Sequence, residues 1–170
     1  IVLSHHEIEI LTNFRLKDAN IINNKGEVVK TINSKSLERV KNLFLLQTIK
    51  GTRHSDLHKL NVNNVFDGQV FVRQQKTKHQ YNINIDDTTI NLMKKSDSGR
   101  SISNQKYNEY LKLVFKQFFP YYKQTFKSED IGYKLEGFPV IKYYLGVERK
   151  EFKCRYELVK THTARRFDNE

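Results

Sequence analysis

Cysteine is nearly missing from this chain. Cys154 stands alone, which excludes an internal disulfide and a cysteine-built zinc cage and points to a reducing cytoplasm. Long apolar runs are missing too: LFLL, at residues 43–46, is among the longest, far short of the roughly 20 residues a membrane-spanning helix needs. The opening residues IVLSHHEIEI have neither the basic start nor the cleavage site of a signal peptide. There is no repeat, no low-complexity tract and no internal linker long enough to divide the chain. Acidic charge is scarce beside basic charge, with Lys+Arg 30 against Asp+Glu 19 and a net charge of +11. Such an excess favours a polyanionic partner, either nucleic acid or an acidic membrane surface.

What is present is enough for one folded domain. The 170 residues are 38% hydrophobic and 12% aromatic, sufficient to bury a core and too apolar for a disordered chain. Ser4-His5-His6-Glu7 has the spacing of a capping box, so a helix is expected to begin there with Ile8 and Leu11 on its apolar stripe. Residues 20–34, around Asn24-Lys25-Gly26, read as a loop. A second helix is expected from Lys35, with Leu37, Val40, Phe44 and Gln47 or Thr48 inward, breaking at Gly51. Ser55 would cap a short helix through Leu57 and Leu60. Val62, Val65, Val70 and Val72 flank Asp67-Gly68, a hairpin signal, and alternation resumes at Tyr81, Ile83 and Ile85. A short helix follows over 87–95.

Ser103 is expected to cap the clearest helix, on which Tyr107, Tyr110, Leu111, Val114, Phe115 and Phe118 share a face until Pro120 ends it. Residues 138–159 read as short strands or irregular structure with a turn at Gly146. Thr161 has the look of the N-cap of a last helix. The expected class is therefore mainly α with a small antiparallel β-sheet, that is, α+β.

Three stretches carry chemistry. In GTRHSDL, residues 51–57, Arg53 lies between a helix-breaking glycine and a capping serine; a guanidinium held there can grip two phosphate oxygens, and Asp56 can orient it. An ordinary ion pair within the turn is the other reading. In QQKTKH a lysine at a hairpin tip can reach a groove and protonate a leaving oxygen, though exposed turns also carry lysines for solubility. In HTARR, His162 would occupy the first turn of a helix with Arg165 three residues on, beside free backbone N–H groups. A satisfied, partly buried histidine is the alternative. Metal binding is not expected: the histidines are read as lacking a metal-binding spacing, and His5-His6 as solvated in a capping turn.

The order of these stretches is more telling than any one of them. GTRHSDLHKL at 51–60, QQKTKHQYNINI at 74–85 and THTARR at 161–166, together with the opening LSHHEIEIL, resemble the catalytic domain of the tyrosine recombinases, the phage-integrase family. The resemblance spans essentially the whole chain. It implies a DNA breaking-rejoining fold and a site-specific integrase of a mobile element, bacterial, cytoplasmic and nucleoid-associated. In that family a tyrosine hydroxyl attacks the scissile phosphate of double-stranded DNA, leaving a 3′-phosphotyrosyl link and a free 5′-hydroxyl. No metal or other cofactor takes part, and the full-length protein assembles as a homo-oligomer on DNA.

Residue by residue, the resemblance makes Arg53 and Arg165 the guanidiniums that neutralise the phosphorane oxygens. Lys76 becomes the general acid (Lys78 competes for that place), His162 assists proton transfer, and Asp56 supports the arginine turn. Arg73, Lys78 and Arg166 would contact the DNA. The match departs from the family after HTARR. Only Phe167-Asp168-Asn169-Glu170 follow, without the small residue expected before the phenylalanine, and all 9 tyrosines precede His162. No residue here stands in the nucleophile's place, so residues 1–170 are expected to be a catalytic domain stopping short of its nucleophile segment and without the N-terminal core-binding domain. Such a chain would bind DNA without cutting it. Two rivals remain: a non-catalytic DNA-binding or regulatory relative on the same scaffold, and a single-strand binder that stacks bases on Phe118-Phe119 and Tyr121-Tyr122.

Overall fold

The computed structural model describes residues 3–74, 78–126, 138–144, 147–153, 155–161 and 163, with the backbone alone for 138–153 and 155. It is a mixture of helices and small antiparallel sheets, the α+β class expected.

Helix α1, His5–Asn13, begins at the capping box: the Glu7 N–H donates to Ser4 Oγ, and the Ser4 N–H donates to the Glu7 carboxylate at 2.8 Å. Residues 20–34 do not form the expected loop. They carry a hairpin, β1 at Ala19–Ile22 and β2 at Val28–Ile32, turning at Gly26 with φ +82. Both strands are mostly exposed, so no alternation of apolar and polar residues announced them. Helix α2, Ser34–Lys50, is capped by Asn33 and stopped by Gly51 in the left-handed region, where a residue without Cβ costs least.

After Gly51 a 3₁₀ helix covers His54–Lys59, with Arg53 extended at its N-cap position and no side chain capping it. Ser55 therefore lies inside the element it was expected to cap. Val62, expected in a strand, starts a 3₁₀ turn over Val62–Asn64. Strands β3 (Val65–Phe66), β4 (Gln69–Arg73) and β5 (Gln80–Asn84) form one antiparallel sheet. Asp67 and Gly68, with φ 48 and 69, make the positive-φ turn that the pair favours. Val70, Val72 and Ile83 face inward. Helix α3, Asp87–Ser96, starts at Asp86, whose carboxylate accepts the Thr89 N–H at 2.7 Å.

Helix α4 runs over Asn104–Phe126, with the Lys106 N–H donating to Ser103 Oγ. Pro120 does not end it. The ring removes one backbone bond and crowds the turn behind it, but the residues beyond it pack. Tyr122 contacts Phe118 and Phe126, and its hydroxyl bonds His6 Nδ1. His6 is thus exposed yet tied to the end of α4. The core lies between α2 and α4, where Phe44 meets Phe115 edge-to-face at 5.2 Å, and Phe14, just after α1, covers it by packing on Phe118. Strands β6 (Phe138–Tyr144) and β7 (Val147–Lys153) pair in register from Phe138 with Lys153 to Tyr144 with Val147; Gly146 lies outside the described residues. A short helix α5, Arg155–Leu158, packs on α4.

Candidate functional site

Gln47 sits near the end of α2, fully buried, on a stripe otherwise built of leucine, valine and phenylalanine. An amide in that position must be hydrogen-bonded or cost several kcal/mol, roughly 2–7 by transfer data. Its Nε2 donates to the backbone carbonyls of Thr52 and Thr161, each at 3.1 Å, and its Oε1 accepts the Tyr107 hydroxyl at 3.1 Å. One nitrogen thus fastens the residue before Arg53 and the first residue of THTARR to the same point. The Thr161 N–H donates to Asn108 Oδ1 on α4 at 2.9 Å, which fixes that segment from the other side.

Lys59 makes the second link. Its Nζ lies 2.7 Å from Asp56 Oδ1 and also donates to the Arg73 carbonyl at the end of β4. Beyond Arg73 the hairpin tip is closed by Gln74 N–H to the His79 carbonyl at 2.8 Å and Lys78 N–H to the Gln74 carbonyl at 3.0 Å. Lys78 is exposed and left-handed, with φ 58. Arg73 is exposed as well. Three stretches far apart in sequence, the 51–56 turn, the hairpin tip and Thr161, are thereby held together by two polar side chains.

The turn itself is unusual in its accounting. The Asp56 N–H donates to the Arg53 carbonyl at 2.9 Å, but the two side chains do not pair: Asp56 is buried and takes Lys59 as its partner instead. Its role is to anchor Lys59 and the hairpin rather than to orient the Arg53 guanidinium. Among the described residues, four side-chain atoms are buried without a hydrogen-bond partner, and three of them are Thr52 Oγ1, Arg53 Nη1 and Asp56 Oδ2. Each such group costs about 1–3 kcal/mol. Unsatisfied groups gathered at one turn mark a place shaped for something other than stability.

His54 follows directly, with its ring 5.0 Å from that of Tyr107. Burial, reinforced by the neighbouring His58, holds its pKa below the usual imidazole value, against a smaller opposing effect of the Ile102 backbone. His54 and His58 stand four residues apart, so the histidines do contain one pair at a metal-binding sequence spacing. On a 3₁₀ helix with three residues per turn that spacing does not align two rings. Among the described residues no group of three His, Cys, Asp or Glu side chains could hold a metal. Burial pushes the Tyr107 hydroxyl far above the ordinary tyrosine pKa, so this ring is a poor nucleophile.

Lys76, His162, Arg165 and Arg166 lie outside the described residues. Gln47 and Lys59 were not singled out as site residues from sequence. The signals were there: an amide on an apolar stripe, and a lysine three residues after an aspartate. The aromatics offered for base stacking are otherwise engaged: Phe118 and Phe119 are fully buried, Tyr122 nearly so, and Tyr121, 42% exposed, lies on Phe14. No helix among the described residues is long and apolar enough to cross a membrane. No protein-family model matches the chain, and neither a curated protein nor a solved structure is significantly similar to it.

Proposed function

We propose that this chain grips a backbone phosphate of duplex DNA at the 52–56 turn, as the catalytic domain of a mobile-element integrase of the tyrosine-recombinase type. The observation that carries the reading is the pair of unpartnered donors in one turn, Thr52 Oγ1 and Arg53 Nη1, tied by Gln47 to Thr161 and by Lys59 to the hairpin. These are the three stretches that the resemblance assigns to one site. The chemistry asks for this kind of placement. Phosphoryl transfer leaves the protein little covalent work, and preorganised cationic donors around the equatorial oxygens supply most of the stabilisation. In this reading Arg53 and Arg165 hold those oxygens, Lys76 gives its proton to the departing 5′ oxygen, and His162 manages the nucleophile's proton. A basic chain of net charge +11 draws the duplex in by counterion release.

Fluorescence anisotropy with a labelled duplex tests the binding step. Affinity should fall steeply with salt, and Arg53→Ala should weaken binding and flatten the log–log salt slope by about 0.9, one phosphate contact. A salt-independent affinity, or an Arg53→Ala protein that binds like the parent, would overturn it. The cleavage step is tested in a chain carrying any downstream tyrosine helix its gene encodes, on a nicked duplex that traps the covalent adduct. Arg53→Ala should lower adduct formation by orders of magnitude. A loss of only a few-fold removes Arg53 from the site. Tight duplex binding with no adduct assigns the chain to the non-cleaving rival.

A further inference from the structure

The fourth buried atom without a partner points elsewhere. Arg39, on α2, donates Nη2 to the carbonyls of Asp97, at 3.2 Å, and Arg100, while its Nε is buried with no partner among the described residues. Arg39 lines a cavity of about 210 Å³ together with Arg100, Lys106, Ser36, Ser101 and Ser103. Three cations, three serines and Tyr110 line that space, and no acidic side chain does. The Asp97 carboxylate is close enough to favour the charged guanidinium; burial and Arg100 oppose it, and burial is the largest influence.

The cavity also sits where α4 begins. No acidic residue occupies the first turn of α4, and a lysine stands there instead. A positive side chain at a helix N-terminus is unfavourable, because the free N–H groups already carry partial positive charge. Lys106 finds relief over the Tyr110 ring, its Nζ lying 5.4 Å from the ring centre. So three like charges, one of them the partner-short Arg39 guanidinium, and the positive end of a 23-residue helix meet at one partly open polar cleft. Left alone, the three cations repel one another; a bound oxyanion would attract each of them and the helix end, and so offset that repulsion.

We propose that the Arg39–Arg100–Lys106 cavity is an oxyanion site that takes a phosphate group. The guanidinium of Arg100 and the ammonium of Lys106, both exposed, would reach the oxygens. Arg39, anchored by two carbonyls, would supply a fixed positive wall, and the hydroxyls of Ser101 and Ser103 would donate. The site adjoins the 52–56 turn, since Arg100, Ser101 and Ile102 also line a pocket with His54 and Ser55, but its three cations are not those of the turn and it does not depend on the reading given to that turn. The phosphate could belong to a nucleic-acid backbone or be free in solution, and the two sources separate experimentally.

Nitrogen-15 NMR of the whole chain, titrated with inorganic phosphate alone, reads the site through the amides of residues 101–105. Those amides should shift saturably, and Arg100→Gln with Lys106→Gln should weaken the effect at least tenfold while the rest of the spectrum keeps its positions. Duplex affinity that depends on Arg53 while these amides fail to shift removes this site alone, and saturable shifts with a duplex affinity indifferent to Arg53 remove the DNA reading alone, so the two failures are distinguishable. Binding to a short duplex then identifies the source. If the double variant flattens the salt slope by about 0.9 or more, the site holds a backbone phosphate. If phosphate binding is lost and the slope stands, it holds the free ion or a mononucleotide. Amides that do not saturate, or that saturate equally in the double variant, overturn the proposal. Should that variant misfold, Arg39→Lys, which keeps the charge and loses the fork, must weaken phosphate binding, and equal binding refutes the site.

Discussion

Gln47 and Arg53 lie six residues apart and treat polarity in opposite ways. Every hydrogen-bonding atom of the buried Gln47 amide is used, two donors on two carbonyls and one acceptor on the Tyr107 hydroxyl. At the turn that follows, a hydroxyl, a guanidinium nitrogen and a carboxylate oxygen are all buried and all left without partners. The first is what a scaffold does with a polar group it needs in its interior. For the hydroxyl and the guanidinium nitrogen, the second is what a scaffold tolerates where a ligand rather than the protein supplies the acceptor. A satisfied frame thus holds an unsatisfied turn, and variants on either side should behave differently.

The largest effect is expected from Lys59→Met. Asp56 is 1% exposed and Lys59 26%, so removing the ammonium strands a buried carboxylate. Breaking such a pair from one side costs about 3–5 kcal/mol when both partners are buried; with Lys59 partly solvated, about 3 kcal/mol is the expected loss in a urea melt. Adding Asp56→Asn should recover much of it, because the stranded charge goes. If the double variant is as unstable as Lys59→Met, the pair is not what holds the turn to the hairpin.

Gln47→Met comes next. The side chain is close in size, so the cost is the three interactions lost and the two carbonyls and one hydroxyl left in an apolar interior. At the low end of about 1–3 kcal/mol for each stranded group, about 3 kcal/mol is expected, close to the Lys59→Met loss. Arg53→Ala should be close to neutral for stability, within about 1 kcal/mol, because its Nη1 has no hydrogen bond to lose. The comparison fails if thermal melts rank Arg53→Ala as more damaging than Gln47→Met.

How much of this could be read from the sequence follows the range of the physics involved. The α1 capping box, the Gly51 stop and the Asp67-Gly68 turn were legible because each is decided within four residues. The β1–β2 hairpin was not, since its strands are largely exposed and nothing in their pattern distinguishes a pairing from a loop. Pro120 was read as a stop because local sterics favour one; contacts of Tyr122 and Phe126 with α1 carry the helix past it. The site shows the same division. The turn at Arg53 is set locally, whereas the positions of Gln47 and Lys59 depend on partners 114 and 14 residues away. Asp56 was assigned to Arg53 by proximity in sequence, and the fold gave it to Lys59.

The smallest effect concerns His54, on the border between frame and turn. Its folded-state pKa lies below the ordinary value of 6.5, chiefly through burial and then through the charge of His58. The neutral ring is therefore the form the folded chain favours, and the unfolded chain takes up the proton first. Between the depressed folded pKa and about 6.5, the unfolded state binds more protons, so stability must rise with pH across that window and level off above it. Because the ring is only half-buried, the change should be modest. His54→Gln should remove the part of the stability–pH slope that His54 contributes while leaving the plateau above neutrality near its original height. An unaltered slope in the variant would mean that the ring is solvated in the folded chain, and the boundary of the satisfied frame would then have to be drawn before His54 rather than through it.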